Sequence, residues 1–209
     1  MTCWPIMQLF HKRRNNMKDI AYTLTFHSYW HCGAGLAAGA DVDLLVVKDA
    51  DGLPYVPGKT LKGLLREAIE NLQQYAPEKY GQADIEACMG KLETDSKCLK
   101  KGASFFGNVT LSKVEHDALA RRADLKKFLY DSISATAIDS ETGVACEHSL
   151  RRMQVTVPCQ LEGSILHVPD DCVTLIADGL KMIKRLGVGR NRGLGRCTLK
   201  IEELELRSS

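Results

Sequence analysis

The sequence predicts an α+β fold with the strand and helix order β-α-β-β-α-β. Three observations point to it. Ile20, Tyr22, Leu24 and Phe26 alternate with smaller or polar residues, the period-two pattern of a half-buried strand. Leu61, Leu64, Leu65, Ala68, Ile69 and Leu72 recur on one helical face. Val173, Ile176, Ala177, Leu180 and Ile183 repeat the helical pattern, and Cys197, Leu199 and Ile201 then alternate as a last strand.

The elements follow in order. After the first strand, residues 31–40 form a loop of small residues able to approach a ligand closely with their backbone. The apolar run Leu44 to Val47, the turn signal Asp49-Ala-Asp-Gly52 and the return Leu53 to Pro57 predict a short hairpin, giving an insertion over about 31–58. Pro57 closes that loop and Thr60 is the expected N-cap of a helix over about 60–75. Residues 76–104 are polar and irregular, with a helix expected around 83–92. Phe105-Phe106-Gly107 is expected as a bend and Val109 and Leu111 as a strand. Residues 113–130 are expected to be helical and 131–153 to be turn-rich. Leu161 to Val168 reads as a strand, and Asp170 or Asp171 caps a helix over about 171–186. Without its insertions this order is the ferredoxin-like, split βαβ arrangement, whose four-stranded sheet often serves as an RNA platform.

The 209 residues suit one domain with insertions, here 17–209, preceded by a flexible extension over 1–16. Charged residues are 26% and hydrophobic residues 44%, which excludes a disordered or low-complexity chain. No run approaches the roughly 18 apolar residues of a membrane span. The basic cluster His11 to Arg14 follows the mildly apolar start, the reverse of a signal peptide, so a cytoplasmic chain with no membrane partner is expected. The eight cysteines include no Cys-x-x-Cys pair, so reduced thiols are expected; a zinc on Cys88, Cys98 and Cys146 or His148 is the lesser alternative.

Net charge is only +2, from 28 Lys and Arg against 26 Asp and Glu, and it neither demands nor excludes nucleic acid. Distribution says more. Arg151, Arg152, Lys184, Arg185, Arg190, Arg192 and Arg196 crowd the last 60 or so residues. Residues 187–196 read Gly-x-Gly-x-x-x-Gly-x-Gly between a helix and a strand, which has the wrong spacing and order for a dinucleotide fingerprint. Gly187, Gly189, Gly193 and Gly195 instead let the backbone approach a polyanion, with Arg190, Arg192 and Arg196 supplying guanidinium forks for phosphate. Gly58-Lys59-Thr60 lacks the earlier glycine of a phosphate-cradling P-loop, since Leu53 stands there. What remains is a helix N-terminus with Lys59 and Lys62 close by, able to hold one backbone phosphate, or simply a proline-set turn. Asp41, Asp43, Asp49 and Asp51 do not have calcium-loop spacing.

Three segments taken together carry a resemblance: Val46 to Arg66, with Val56-Pro-Gly-Lys-Thr-Leu-Lys at its centre; Phe105-Phe-Gly107; and Arg185-Leu-Gly-Val-Gly-Arg-Asn-Arg-Gly-Leu-Gly-Arg196. In this order they resemble the RAMP superfamily of CRISPR proteins, and most of all the multi-copy backbone subunit of type III effector complexes. The likeness runs from about Lys18 to Leu206. It implies a chain that binds a CRISPR guide RNA, displays it to a target RNA, and stacks with further copies of itself and other effector subunits. The insertion over about 113–153 is then the thumb that kinks the guide. Asp43 matches the aspartate that cleaves target RNA, with Mg²⁺ as its implied metal, although Asp41 lies only two residues away. His31 falls where relatives carry a histidine near the guide, and Lys59, Lys62, Arg66 and Arg151 join the glycine–arginine loop as RNA-binding candidates. Lys59 and Thr60 depart from the small hydroxyl residues that relatives carry there.

Two other readings stay open: a non-catalytic guide-binding scaffold, and a repeat-RNA processing endonuclease that works without metal through His27 or His31 as general base.

Overall fold

The computed structural model describes residues 17–33, 44–81, 83, 85–91, 101–146 and 149–206. The expected extension over 1–16 lies outside them. The elements are β1 (Met17–Phe26), α1 (Gly58–Tyr75), α2 (Pro77–Tyr80), α3 (Ile85–Met89), β2 (Phe105–Phe106), α4 (Lys113–Ala120), α5 (Ala123–Lys126), β3 (Tyr130–Ala135), β4 (Arg151–Thr156), β5 (Gln160–Pro169), α6 (Asp170–Met182) and β6 (Cys197–Leu206).

The main sheet has the order β2-β5-β1-β6, with every neighbouring pair antiparallel. Strands one to four of the predicted six-element core are thus β1, β2, β5 and β6, and the ferredoxin-like arrangement holds. Ile20, Tyr22, Leu24 and Phe26 are buried, as the alternation requires, and pair across to Ile165, Gly163 and Leu161 of β5 and Cys197 of β6. Helices α1 and α6 cover this face and pack on each other. Gly179 makes that crossing close: a Cβ there would lie 2.6 Å from Ile69 Cγ2 and 2.9 Å from Leu65 Cδ1. The apolar faces expected of both helices face the core, with Leu64, Leu72 and Ala177 only half-buried and Cys172 and Leu175 added on α6.

Boundaries differ for physical reasons. Helix α1 starts at Gly58, with Pro57 in extended conformation as its N-cap, so Thr60 sits in the first turn and donates its N–H to the Pro57 carbonyl at 2.9 Å. Helix α6 ends at Met182 because Ile183 turns extended to bury its side chain, and Arg185 then bridges to Arg196. Phe105-Phe106, expected as a bend, is a short edge strand on β5, while Val109 and Thr110 make single bridges to Val56 and Glu162.

The largest departure is in 131–153, expected as turns. Its two ends form an antiparallel hairpin, β3 with β4, registered from Tyr130↔Thr156 to Ala135↔Arg151. Most of β3 is exposed and has no face on the core, so no apolar alternation marks it. This hairpin, together with α4 and α5, is inserted between the second and third core strands. The loop 44–56 folds back as a hairpin, with Lys48 bridged to Pro54 around the turn at Asp49–Gly52.

The open face of the sheet does not suit an RNA platform. Around Ala21, Thr23, Glu162, Ser164 and Glu202 it presents small and acidic side chains, which repel phosphate and offer no stacking surface. Phe105 is exposed only at the edge of the sheet.

Candidate nucleic-acid interface

The segment after β1 braces two functional regions against each other. Thr156 of β4 exchanges two backbone hydrogen bonds with Trp30, at 3.1 and 2.8 Å, and the Trp30 indole N–H donates to the Val157 carbonyl at 3.1 Å. The Trp30 ring stacks on Phe26 at 4.5 Å, anchoring the segment in the core. From the other side Val188 N donates to the His31 carbonyl (2.9 Å) and Gly195 N to the Tyr29 carbonyl (2.7 Å). His31 itself is 1% exposed, with ring Nδ1 2.6 Å from the Gln154 carbonyl oxygen. It therefore ties the glycine–arginine loop to the inserted hairpin. Its Nε2 is buried without a hydrogen-bond partner among the described residues. A cavity of about 260 Å³, lined by His31, Gly33, Thr60, Gly187, Val188 and Arg190, lies beside it.

The glycine–arginine loop has a defined shape. Gly187, Gly189, Gly193 and Gly195 all have positive φ, from 65° to 98°, a region costly for residues with a Cβ. Two of them also have no room for one. A Cβ on Gly187 would collide with the His31 carbonyl oxygen, and one on Gly195 with the Leu186 carbonyl oxygen. The loop is thus packed down at its ends, while Arg190 to Arg192 form a single 3-10 turn at its crest. The Arg185 guanidinium donates to the Arg190 carbonyl at 2.8 Å and stiffens that crest.

This crest faces the inserted hairpin across a cleft of about 640 Å³, with Arg151, Arg190 and Arg192 at its rim and Leu44, Ile133 and Met153 along its floor. Leu44 bridges to Met153, and the Gln154 N–H donates to the Leu44 carbonyl at 3.0 Å. Arg196 is exposed but lines none of these cavities. Lys59, Lys62 and Arg66 line a second cleft on the other side of α1. The RNA-binding candidates therefore do not share one cleft: Arg151, Arg190 and Arg192 line the one beside the hairpin, and Lys59, Lys62 and Arg66 line the other. The apolar floor of Ile133 and Met153 has no counterpart in the sequence reading, because the hairpin carrying it left no periodic signal.

Asp41 and Asp43 lie outside the described residues, as do Cys98 and His148. Cys88 is buried, with its Sγ 3.0 Å from Ser104 Oγ, while Cys146 is exposed. Among the described residues one group of three side chains has metal-ligand geometry: Asp49, Asp51 and His116. Its shortest link is a hydrogen bond of 2.9 Å between His116 Nε2 and Asp49 Oδ2, which fastens the hairpin turn to α4. No helix among the described residues is long and apolar enough to cross a membrane.

The sequence model of the RAMP superfamily matches residues 23–198, most of the chain, from within β1 to the start of β6. The chain belongs to the RAMP superfamily. Among solved structures this RAMP protein is similar to a chain of the type III-B Cmr-β complex bound to cognate target RNA, with a TM-score of 0.65 at 11% identity over 90% of this chain and 98% of that one. It is also similar to a chain of the same complex in its apo state, with a TM-score of 0.61 at 13% identity over 88% and 97%. At such identity the likeness is one of fold, and it covers nearly the whole length of both chains. Among curated proteins none matches the sequence.

Proposed function

We propose that the chain is a guide-RNA-binding backbone subunit of a type III CRISPR effector complex that cuts guide-paired target RNA through Asp43. The observation that carries RNA binding is the cleft between the glycine–arginine crest and the inserted hairpin. Three guanidinium groups rim an open, apolar-floored groove, and the loop backbone is pressed close by glycines that admit no side chain. Arginine forks suit phosphate, and an apolar floor suits an unstacked base. Membership of the superfamily and the fold shared with chains of a target-RNA-bound complex agree with this reading. The inserted hairpin is the candidate for the guide-kinking thumb, and β3 is exposed along most of its length.

Asp43 directly precedes Leu44, which lines that same cleft. A carboxylate there serves a reaction in which the RNA's own 2′-hydroxyl attacks the adjacent phosphate, the P–O5′ bond breaks, and the 5′-oxygen leaves with a proton as a 2′,3′-cyclic phosphate forms. Positioning of a kinked nucleotide supplies much of the rate. Mg²⁺, when bound, would neutralise charge on the phosphate. The scaffold-only reading shares every binding residue and lacks only the cut. The alternative of a histidine base is disfavoured because His31 is buried with Nδ1 on a carbonyl, and His27 is engaged with Thr198 Oγ1 at 2.9 Å.

The test is co-purification. Expressed with its genomic neighbours, the chain should carry a discrete small RNA within a larger assembly. A nucleic-acid-free monomer from that co-expression would overturn the reading.

A further inference from the structure

We infer that Asp49, Asp51 and His116 form a binding site for a zinc-class divalent cation, which clips the hairpin before α1 to α4 of the insertion. The inference stands apart from the RNA-binding reading and needs neither Asp43 nor the arginine-rimmed cleft.

The three side chains come from two segments that only the fold brings together, the hairpin turn and α4, with Asp49 and His116 67 positions apart in the chain. His116 Nε2 lies 2.9 Å from Asp49 Oδ2 and 3.7 Å from Asp51 Oδ2. One donor atom from each side chain lies within 4.8 Å of the other two. Ligands about 2.0–2.1 Å from a tetrahedral ion sit about 3.3 Å from one another, midway between the first two distances. Small side-chain rotations therefore bring all three onto one ion, and a water completes the four.

The charges call for a cation. Two carboxylates converge on one imidazole, and among the described residues neither pairs with a lysine or an arginine. Lys126 Nζ, which reaches the same turn, donates instead to the Asp51 carbonyl at 2.6 Å.

The donors are also held in place. Asp49 Oδ1 accepts the N–H groups of Asp51 and Leu53, both at 2.9 Å, which leaves Oδ2 for His116. The His116 N–H donates to the Ser112 carbonyl at 2.8 Å, and Ser112 Oγ accepts the Glu115 N–H at 3.3 Å, so the start of α4 is fixed. The other ring nitrogen, His116 Nδ1, lies 3.9 Å from Asp117 Oδ1. A carboxylate behind a ligating imidazole is the outer partner that orients such rings, and Asp117 reaches that role by a side-chain rotation.

The donor set selects the ion. Mg²⁺ and Ca²⁺ take oxygen ligands, whereas an imidazole nitrogen beside carboxylates suits zinc and its first-row neighbours. The imidazole is what separates this group from a cluster of surface aspartates. A bound ion would hold the insertion against the hairpin whose far end, Leu44, lines the arginine-rimmed cleft.

The test uses the full chain, free of any histidine tag, stripped with EDTA and dialysed, then titrated with Zn²⁺ and with Co²⁺ as a spectroscopic probe. The wild type should bind one equivalent of Zn²⁺ and melt at a higher temperature with it, because a ligand of the folded state stabilises that state. Equal concentrations of Mg²⁺ or Ca²⁺ should give no such shift. His116→Ala and Asp51→Asn should each weaken Zn²⁺ binding about 10–100-fold or more. Asp49 is left intact because it holds the turn. Asp51 is exposed and His116 half-buried, so without metal both variants should melt close to the wild type. Either variant alone carries the comparison if the other loses its fold. Bound Co²⁺ should show visible bands without the near-ultraviolet absorption of thiolate ligands. A wild type that binds no stoichiometric Zn²⁺ overturns the inference, and so do variants that keep wild-type affinity. Thiolate absorption would put the ion on cysteines and overturn it as well. No RNA enters the experiment, so its failure leaves the guide-binding reading standing.

Discussion

His116 Nε2 lies 2.9 Å from Asp49 Oδ2, joining α4 of the insertion to the tip of the hairpin that precedes α1. The other oxygen, Asp49 Oδ1, accepts the N–H groups of Asp51 and Leu53, both at 2.9 Å, and so shapes the turn. Two further contacts reinforce the junction: Lys126 Nζ donates to the Asp51 carbonyl at 2.6 Å and Tyr130 Oη to that of Gly52 at 2.7 Å. The hairpin and the insertion are thereby coupled at a point well outside the core sheet.

The junction predicts an ordering of variants. His116→Ala removes one partly exposed side-chain hydrogen bond and should cost at most about 1 kcal/mol. Asp49→Ala also strips two backbone N–H groups of their acceptor and should cost about 1–3 kcal/mol. Urea unfolding of both at pH 7 measures the ordering, and equal losses would mean that the turn does not depend on Asp49.

The same carboxylate gives a pH dependence. Burial raises the Asp49 pKa, but the Leu53 N–H, His116 and the Asp51 N–H together outweigh it and hold the carboxyl below its ordinary value. A depressed acid stabilises the fold above its unfolded pKa, and the gain is lost as pH falls through the folded value. The stability gap between wild type and Asp49→Asn should therefore be full at neutral pH and close below about pH 4. A gap that widened in acid would contradict the assignment.

Much of this architecture is written in residue periodicity. The buried faces of β1, α1 and α6 follow from the spacing of their apolar residues, because each packs one side on the core. The β3–β4 hairpin was invisible for the opposite reason: Asp131, Ser132, Ser134 and Ala135 are exposed and impose no period. The glycine–arginine loop stands out in the sequence as an RNA-binding candidate, but the reason for its outer glycines lies in carbonyls of His31 and Leu186 that only the fold brings near. His31 was singled out for a place beside the guide. The burial of its ring, and its role in tying that loop to β4, depend on Gln154, which is 123 positions away. The pairing of Asp49 with His116 spans 67 positions and left no local trace at all.

Gly193 and Gly195 make a matched test of the loop. Both have positive φ, 90° and 65°, so alanine at either position costs about 1 kcal/mol or more in backbone strain. At Gly193 nothing lies within 4 Å of an added Cβ, whereas at Gly195 the Leu186 carbonyl blocks it. Gly195→Ala should therefore lose clearly more thermal stability than Gly193→Ala, and should weaken RNA binding as the crest shifts. Differential scanning calorimetry of the two variants compares them, and equal losses would show that the loop relaxes without the packing described.

Asp43→Ala should abolish target-RNA cleavage by the assembled complex while leaving guide and target binding unchanged. The residue directly precedes Leu44 in sequence, and Leu44 has its carbonyl fixed by the Gln154 N–H and lines the arginine-rimmed cleft. Removing a carboxylate there deletes no residue of the described core, so the complex should still assemble. EDTA should stop the cut in the wild type, because a carboxylate aided by Mg²⁺ loses its partner, whereas a histidine base would continue to work. A target containing 2′-deoxyribose at the scissile position should bind and resist cleavage, since the attacking hydroxyl is missing. Gel assays on labelled target RNA read all three. Full-rate cutting by the Asp43→Ala complex would remove Asp43 from the mechanism, and the parallel Asp41→Ala complex would then show whether the neighbouring aspartate holds the role.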